Sequence, residues 1–336
     1  MHTSNSSKTI STAIEVSVII PCFNNSRHLE ESLQSVADQD FLSYECLVID
    51  DGSDDASWDI AVRFSQSYKH FQAFRRPDFL QKGANSCRNF GAEKALGEFL
   101  VFLDADDLLE KDALSYRVSK LPLDVNLAIF KTANFSGDYN QISPFSDLIR
   151  TGQGVQDYLN LFLNYRIPWH TSSGLWKKSF FQKINGFDPD LQRFQDVDIH
   201  IRALAHVSLK LWVDNSIKFT SFYRKSEFHQ EVTLSKRMFL LNQGFVFLSK
   251  LSENFGQSIL PKTSGLAIYL AFRFEEVMQK SEVQKLSLFY EEHISACRKE
   301  LKWIFSLYRI FSHPSKFRKG LSYLIYRFYL LKNPLS

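Results

Sequence analysis

Residues 98–114, EFLVFLDADDLLEKDAL, run from the apolar pentad Phe99-Leu100-Val101-Phe102-Leu103 into Asp104, Asp106 and Asp107. A short, continuous apolar run of this kind reads as a strand buried on both faces, and such strands belong to parallel sheets covered by helices on each side. Ligands of these sheets bind outside the carboxyl ends of the strands, so the acids that close the run line a cleft.

The pattern repeats outward from this stretch. Strand-like VSVIIP (16–21), ECLVID (45–50), FQAFRR (71–76), FLVFLD (99–104) and LAIFKT (127–132) alternate with helical patterns near 28–38, 55–67, 84–96 and 110–120. The order predicts an α/β, doubly wound, mostly parallel sheet sandwiched by helices. Three of its strand ends are polar: PCFNN, IDDGSDD and LDADD. Taken singly, Asp54, Asp55 and Asp107 read more simply as caps of the helices that follow. Taken together, the carboxylates suit a divalent cation, and a hard cation with open positions can hold a diphosphate. Asp104 and Asp106, alternate residues of an extended segment, point in related directions, and Asp106 is the better ligand candidate. No GxGxxG or GxxxxGK[ST] occurs, which argues against the usual dinucleotide site and a P-loop.

At 336 residues, with 44% hydrophobic content and 31 Phe, the chain can bury a large core and does not read as disordered. Cys22, Cys46, Cys87 and Cys297 form no CxxC pair and read as reduced core residues. No signal-peptide pattern and no window of about 18 apolar residues is evident, which makes the cytoplasm the expected location. The net charge of +3 is uneven: residues 301–336 carry seven Lys or Arg and no acid, leaving 33 basic against 37 acidic residues, or −4, in the remainder.

Residues 150–225 lose the regular alternation. Turns at Gly174 and NGFDPD separate helical patterns around 177–184 and 196–206, and strand-like LKLWVD and IKFTSFY follow. This region reads as a continuation of the domain that closes over the cleft. After about residue 235 the pattern is mainly helical.

Four stretches carry a family resemblance: VSVIIPCFNNSRHLEESLQSV, CLVIDDGSDD, GANSCRNFGAEKALGEFLVFLDADDLL and GFDPDLQRFQDVDIHIRAL. In this order, over roughly residues 15–225, they resemble the inverting GT-A glycosyltransferases of glycosyltransferase family 2. The resemblance implies a Rossmann-like GT-A sheet, a nucleotide-diphosphate sugar donor (a UDP-sugar is the expectation), Mn²⁺ or Mg²⁺, and a glycan or lipid-linked acceptor. It also implies roles. Pro21 and Phe23 would flank the base, with Asn24 and Gly52 in the same nucleotide set, and Asp51 would bond the ring nitrogen. Asp104 would lie against the ribose or donor sugar, Asp106 would bind the metal, and Arg88 would sit near the donor unless it forms a surface ion pair. The family's catalytic base follows a glutamate; here Gln195 holds the glutamate position and Asp196 the base position. Asp198, about 200° further round a helix, cannot share that face and suits the helix dipole instead. Trp169, His170 and Trp176 fall at the acceptor wall, although aromatics so spaced are more often core, and Tyr223 and Arg224 fall near the diphosphate.

The resulting division is an N-terminal tail (1–14), a GT-A domain (15–230) and a helical, basic-aromatic region (231–336). Residues 301–336 interleave seven cations with Trp303, Phe305, Tyr308, Phe317, Tyr323, Tyr326 and Phe328, which suits peripheral contact with an anionic inner membrane face better than RNA; no nucleic-acid partner is expected. The leading function is sugar transfer, as in cell-surface polysaccharide synthesis. A non-catalytic sugar-nucleotide or glycan-binding protein is the alternative that Gln195 permits. A nucleotidyltransferase lacks its Gly-rich N-terminal loop.

Overall fold

The computed structural model describes residues 14–225, 233–310 and 316–332. Residues 1–13 of the expected N-terminal tail (1–14) lie outside this set, as do the side chains of Arg309, Lys316, Phe317 and Lys332 in the basic tail.

The first half alternates as the pattern requires: β1 (Val16–Cys22), α1 (Ser26–Ala37), β2 (Tyr44–Asp50), α2 (Ser57–Ser67), β3 (Phe71–Arg75), α3 (Ala84–Lys94), β4 (Phe99–Phe102), β5 (Leu108–Leu109), α4 (Ala113–Lys120) and β6 (Leu127–Ile129). β1 and β2 are buried at every position, as expected of strands covered on both faces. Gly91 lets α3 lie directly on this sheet, because a Cβ there would meet Ile19 Cγ2 at 2.5 Å. The chain continues through β7 (Lys131–Ser136), β8 (Asp138–Pro144), α5 (Val155–Leu163), β9 (Gly174–Lys177), α6 (Lys178–Lys183), α7 (Gln195–Ala205), β10 (Leu211–Val213) and β11 (Phe219–Arg224). Helices α8 (Leu234–Phe255), α9 (Ser264–Arg273), α10 (Lys280–Leu288), α11 (Lys299–Ile310) and α12 (Lys316–Lys332) follow.

Two sheets result. The larger has the order β10-β6-β9-β4-β1-β2-β3, and the smaller has the order β5-β11-β7-β8. The larger is parallel except for β9, which runs antiparallel to both β4 and β6. The sequence pattern missed β9, since four residues are too few to establish a period. It also merged β6 and β7 into a single run. The chain turns at the fully buried Phe130, leaves the large sheet, and pairs in the small one with β11.

The C-terminal helices share a core with one face of the large sheet. Phe194, just before α7, stacks on Phe247 of α8 with ring centroids 5.2 Å apart, and Leu266, Leu270, Leu301 and Tyr308 belong to the same apolar cluster. Among the described residues no helix is long and apolar enough to cross a membrane.

Candidate active site

At the first edge of the sheet, the loops after β1 and β2 are sewn together by short polar side chains. Asn24, at φ +47°, donates its N–H to Ser53 Oγ at 3.0 Å, and its Oδ1 accepts from Asp54 N at 2.9 Å. Asp55 accepts from Ser57 N and Ser26 N at 2.9 and 3.0 Å, holding the starts of α2 and α1 together. Asp50 accepts from Gly52 and Ser53, and Gly52 takes φ +82°, a left-handed conformation open to glycine. Asp51 accepts from Arg76 Nε. Pro21 is buried within β1, whereas Phe23 is exposed, with Lys82 Nζ 4.0 Å from its ring centre.

The acidic tip lies beyond β4. Arg88, buried on α3, donates from Nη2 to Asp104 Oδ1 at 2.5 Å, so it is an interior ion pair and not a helix-surface one. Burial pushes the Asp104 carboxyl up, but the Arg88 guanidinium and His170 together outweigh it and leave the group below its ordinary value. Asp106 and Asp107 are both raised, by burial first and then by neighbouring carboxylates. Arg224, at the end of β11, braces the tip: its N–H donates to Asp107 Oδ1 and its Nε to Asp106 O, both at 2.9 Å, while Nη2 reaches Glu31 Oε2 at 2.5 Å.

Asp107 is not a helix cap. The cap position of α4 is Asp112, and Asp107 is fully buried at the start of β5, where capping chemistry is irrelevant. Ligand atoms of Asp104, Asp107 and His170 lie within 4.8 Å of one another, and Asp107 Oδ2 is buried without a hydrogen-bond partner. The Asp106 side chain is not part of that group. His170 faces Asp107 Oδ2 at 3.5 Å, its pKa is lowered by burial, and its ring lies against Tyr223 and Phe145.

A cavity of about 330 Å³ joins Arg88, Asp104, Trp169, His170, Tyr223, Gln195 and Asp196. Asp196 sits in the first turn of α7, where the dipole favours an acid, and its Oδ1 is buried without a partner. The turn leading to α7 is held from α3: Asn85 Nδ2 donates to Asp188 O and Leu191 O at 2.6 and 2.8 Å, and Asn89 exchanges bonds with the Phe187 backbone. From α8, Lys250 pairs with Asp188 and Asp190. Asp198 points elsewhere, as its spacing requires. It is fully buried and accepts from Arg202 Nε and Nη2 at 2.8 and 2.7 Å, and Arg202 also ties α7 to the carbonyls of Ile184 and Gly186.

Trp169 is both wall and core: it lines the cavity yet is only 2% exposed, edge-on to Tyr158 and Phe162. Trp176 is core alone. Sequence reasoning missed His200, which stacks on Phe162 and bonds the Asp196 carbonyl oxygen at 2.6 Å; since a carbonyl only accepts, Nδ1 carries the proton. Burial pushes this imidazole down to about 4. It missed Tyr165 and Arg193, which line the cavity from segments with no regular period.

The mostly parallel sheet flanked by helices, with an acidic end to β4, is that of the GT-A fold. Residues 17–181, just under half of the chain, match the family model "Glycosyl transferase family 2". The GalNAc(5)-diNAcBac-PP-undecaprenol beta-1,3-glucosyltransferase of Campylobacter jejuni is 36% identical over 106 residues, 32% of this chain and 34% of its own. Glycosyltransferase AglE of Haloferax volcanii is 38% identical over 93 residues, 27% and 30% of the two chains. This chain thus spans about half or less of the length of the curated relatives it matches. The crystal structure of S. aureus TarS 1–349 in complex with UDP-GlcNAc shares the fold, with a TM-score of 0.63 at 16% identity over 95% of this chain and 92% of that one.

Proposed function

We propose that this protein is an inverting glycosyltransferase that moves a sugar from a nucleotide-diphosphate sugar, specifically a UDP-sugar, to a hydroxyl of a glycan or lipid-linked acceptor. The observation that carries the reading is the unpartnered, buried Oδ1 of Asp196 in the same cavity as the Arg88–Asp104 pair. A carboxylate so disposed takes the proton of the acceptor hydroxyl as its oxygen bonds to the anomeric carbon. The bond from that carbon to the diphosphate breaks on the opposite face, which inverts the centre. The donor reading draws on the TarS complex with UDP-GlcNAc, and the acceptor reading on the undecaprenyl-diphosphate-linked glycan in the name of the Campylobacter relative.

The acidic tip fits a divalent ion, Mn²⁺ or Mg²⁺. Hard carboxylate oxygens with an imidazole suit such a cation, and the orphaned Asp107 Oδ2 is an acceptor in want of a partner. Asp104, Asp107 and His170 would hold it, with Asp106 the further ligand expected from sequence; when bound, the ion neutralises charge on the diphosphate. A mannosyltransferase of Pyrobaculum calidifontis, solved with GDP-Man and Mn²⁺, has the same fold at a TM-score of 0.51. In this reading Phe23, Asn24, Asp51 and Gly52 contact the nucleoside, with Pro21 supporting them from within β1, and Arg88 fixes Asp104. We assign the transferase to residues 15–230 and the helical region to 231–336, whose exposed Trp303, Ile310, Tyr323, Leu324 and Phe328 support peripheral contact with the inner membrane face.

Gln195, beside Asp196 where the family carries glutamate, favours a second reading: a sugar-nucleotide-binding protein without turnover. Release of UDP from a panel of UDP-sugars with Mn²⁺ separates the two. Turnover above the protein-free rate is expected; binding of UDP without any release leaves only the binding reading.

A further inference from the structure

Beside the candidate active site lies a smaller notch of about 100 Å³, lined by Tyr165, Arg193, Phe194, Arg237, Tyr269 and Arg273 among others. It shares Tyr165, Arg193 and Phe194 with the cavity that holds Asp196, but neither Arg88 nor Asp104. It therefore adjoins the base and not the Arg88–Asp104 end. Three guanidinium groups converge on it from three parts of the chain: the turn before α7, the first turn of α8 and the last turn of α9. Arg237 ion-pairs with Glu276 at 3.4 Å, but Glu276 also answers Lys319 at 2.9 Å. The residues that line the notch include these three arginines and no acid, so it keeps an excess of positive charge.

The rim of the notch is built rather than incidental. Tyr165 and Phe194 both adopt left-handed backbone conformations, at φ +55° and +65°, which non-glycine residues take up only when their surroundings hold them there. Phe194 is clamped on Phe247, and the Tyr165 and Tyr269 rings lie 4.3 Å apart, placing two phenols beside the three guanidiniums. Planar guanidinium forks match tetrahedral oxyanions, and hydroxyl donors complete such a shell.

We propose that this notch binds a phosphate ester of the acceptor, anchoring it so that the attacking hydroxyl meets Asp196; the proposal rests on the transfer reading above. Arg237 and Arg273 both lie beyond the segment that matches the family model, which ends at residue 181, so acceptor choice is written in the C-terminal helices. A polyprenyl diphosphate and a phosphodiester polymer present the same chemistry.

The test is calorimetric binding of geranyl diphosphate and of glycerol 3-phosphate, with the donor end filled by saturating UDP and Mn²⁺ and with geraniol and glycerol as neutral controls. Both anions are expected to bind and neither neutral control to do so. The Arg237→Gln/Arg273→Gln double variant should lose at least about tenfold in affinity, as loss of a charge-assisted bond requires. Arg273 is exposed, so Arg273→Gln alone, expected to weaken binding in the same direction, guards against a fold defect in the pair. Preference for geranyl diphosphate assigns the site to lipid-linked acceptors, and preference for glycerol 3-phosphate to phosphodiester polymers. Equal affinity of parent and variants for both probes, or no binding of either by the parent, overturns the proposal. A parent that binds the anions but not UDP overturns the nucleotide-sugar reading and leaves the anion site standing.

Discussion

Replacing Asp198 by alanine removes a carboxylate that is fully buried and leaves Arg202, with a side chain 15% exposed, facing the gap. Breaking a buried pair on one side costs about 3–5 kcal/mol when the remaining charge is wholly uncompensated. Arg202 retains the carbonyls of Ile184 and Gly186 and some contact with water, which lowers the expected loss to about 2–3 kcal/mol. Asp198→Asn keeps an acceptor for one of the two bonds and should lose about 1–2 kcal/mol. Burial raises the Asp198 carboxyl more than Arg202 lowers it, so the pair does not recover its full desolvation cost. The Asp198→Ala/Arg202→Met double variant should therefore be less destabilised than the sum of the singles, with a coupling of about 1–3 kcal/mol. Denaturant unfolding of the four proteins gives the cycle. Because Arg202 joins α7 to the turn at 184–186, the single variants should keep most of their activity while melting earlier. A loss below about 0.5 kcal/mol for Asp198→Ala would mean that water reaches the pair and that α7 is not anchored in this way.

Three further outcomes follow from the same geometry. His200 is held near 4 when folded against an ordinary 6.5, so it favours the folded state fully above pH 6.5, and that contribution, up to about 3 kcal/mol, is lost as pH falls from 6.5 toward 4; His200→Phe should flatten stability against pH in this window, and an unchanged slope would refute the assignment. Asp106→Asn and Asp107→Asn should fold yet lose metal-dependent nucleotide binding, read by thermal shift with UDP and Mn²⁺, with a uridine nucleotide giving the largest shift on the parent; undiminished shifts, or full activity in excess EDTA, would remove the metal from the account. Trp303→Ser/Leu324→Ser/Phe328→Ser should weaken flotation with phosphatidylglycerol vesicles at low salt, and equal flotation of parent and variant would remove the membrane face.

The tail illustrates what sequence can and cannot convey. Counting its cations overstated their availability: Arg318 is buried against Glu275 at 2.9 Å, and Lys319 pairs with Glu276. Leu301, Ile304, Phe305, Tyr308 and Tyr329 belong to the main core cluster, so cutting the chain at residue 300 would open that core, and point variants are the sounder probe. The alternation from β1 to β6 was legible because buried parallel strands are uniformly apolar and their helices amphipathic. Asp196 was singled out by the family resemblance, as the residue in the position of the family's base at the head of a helical pattern. The small sheet was not legible, since β7 and β8 form a hairpin off the end of a run that had already satisfied the strand pattern. Nor was the approach of Asp107 to His170, 63 positions later in the sequence, because only the meeting of the two sheets brings them together. The three arginines beside the Asp196 cavity come from a turn and two helices with no common period, and only tertiary packing gathers them.

The account turns on Asp196 as the base. Asn at this position keeps the size and an acceptor oxygen at the start of α7 but cannot take a proton. A base acting in the transition state contributes about 10² to 10⁴ in rate. The measurement is kcat and donor Kd for the parent, Asp196→Asn and Asp198→Asn, with a turned-over UDP-sugar. The account predicts near-parent donor Kd in both variants, a fall in kcat of about 10² or more for Asp196→Asn, and a much smaller change for Asp198→Asn. An active Asp196→Asn beside a dead Asp198→Asn would assign the base to the wrong carboxylate, and parent-like turnover by both would contradict the mechanism.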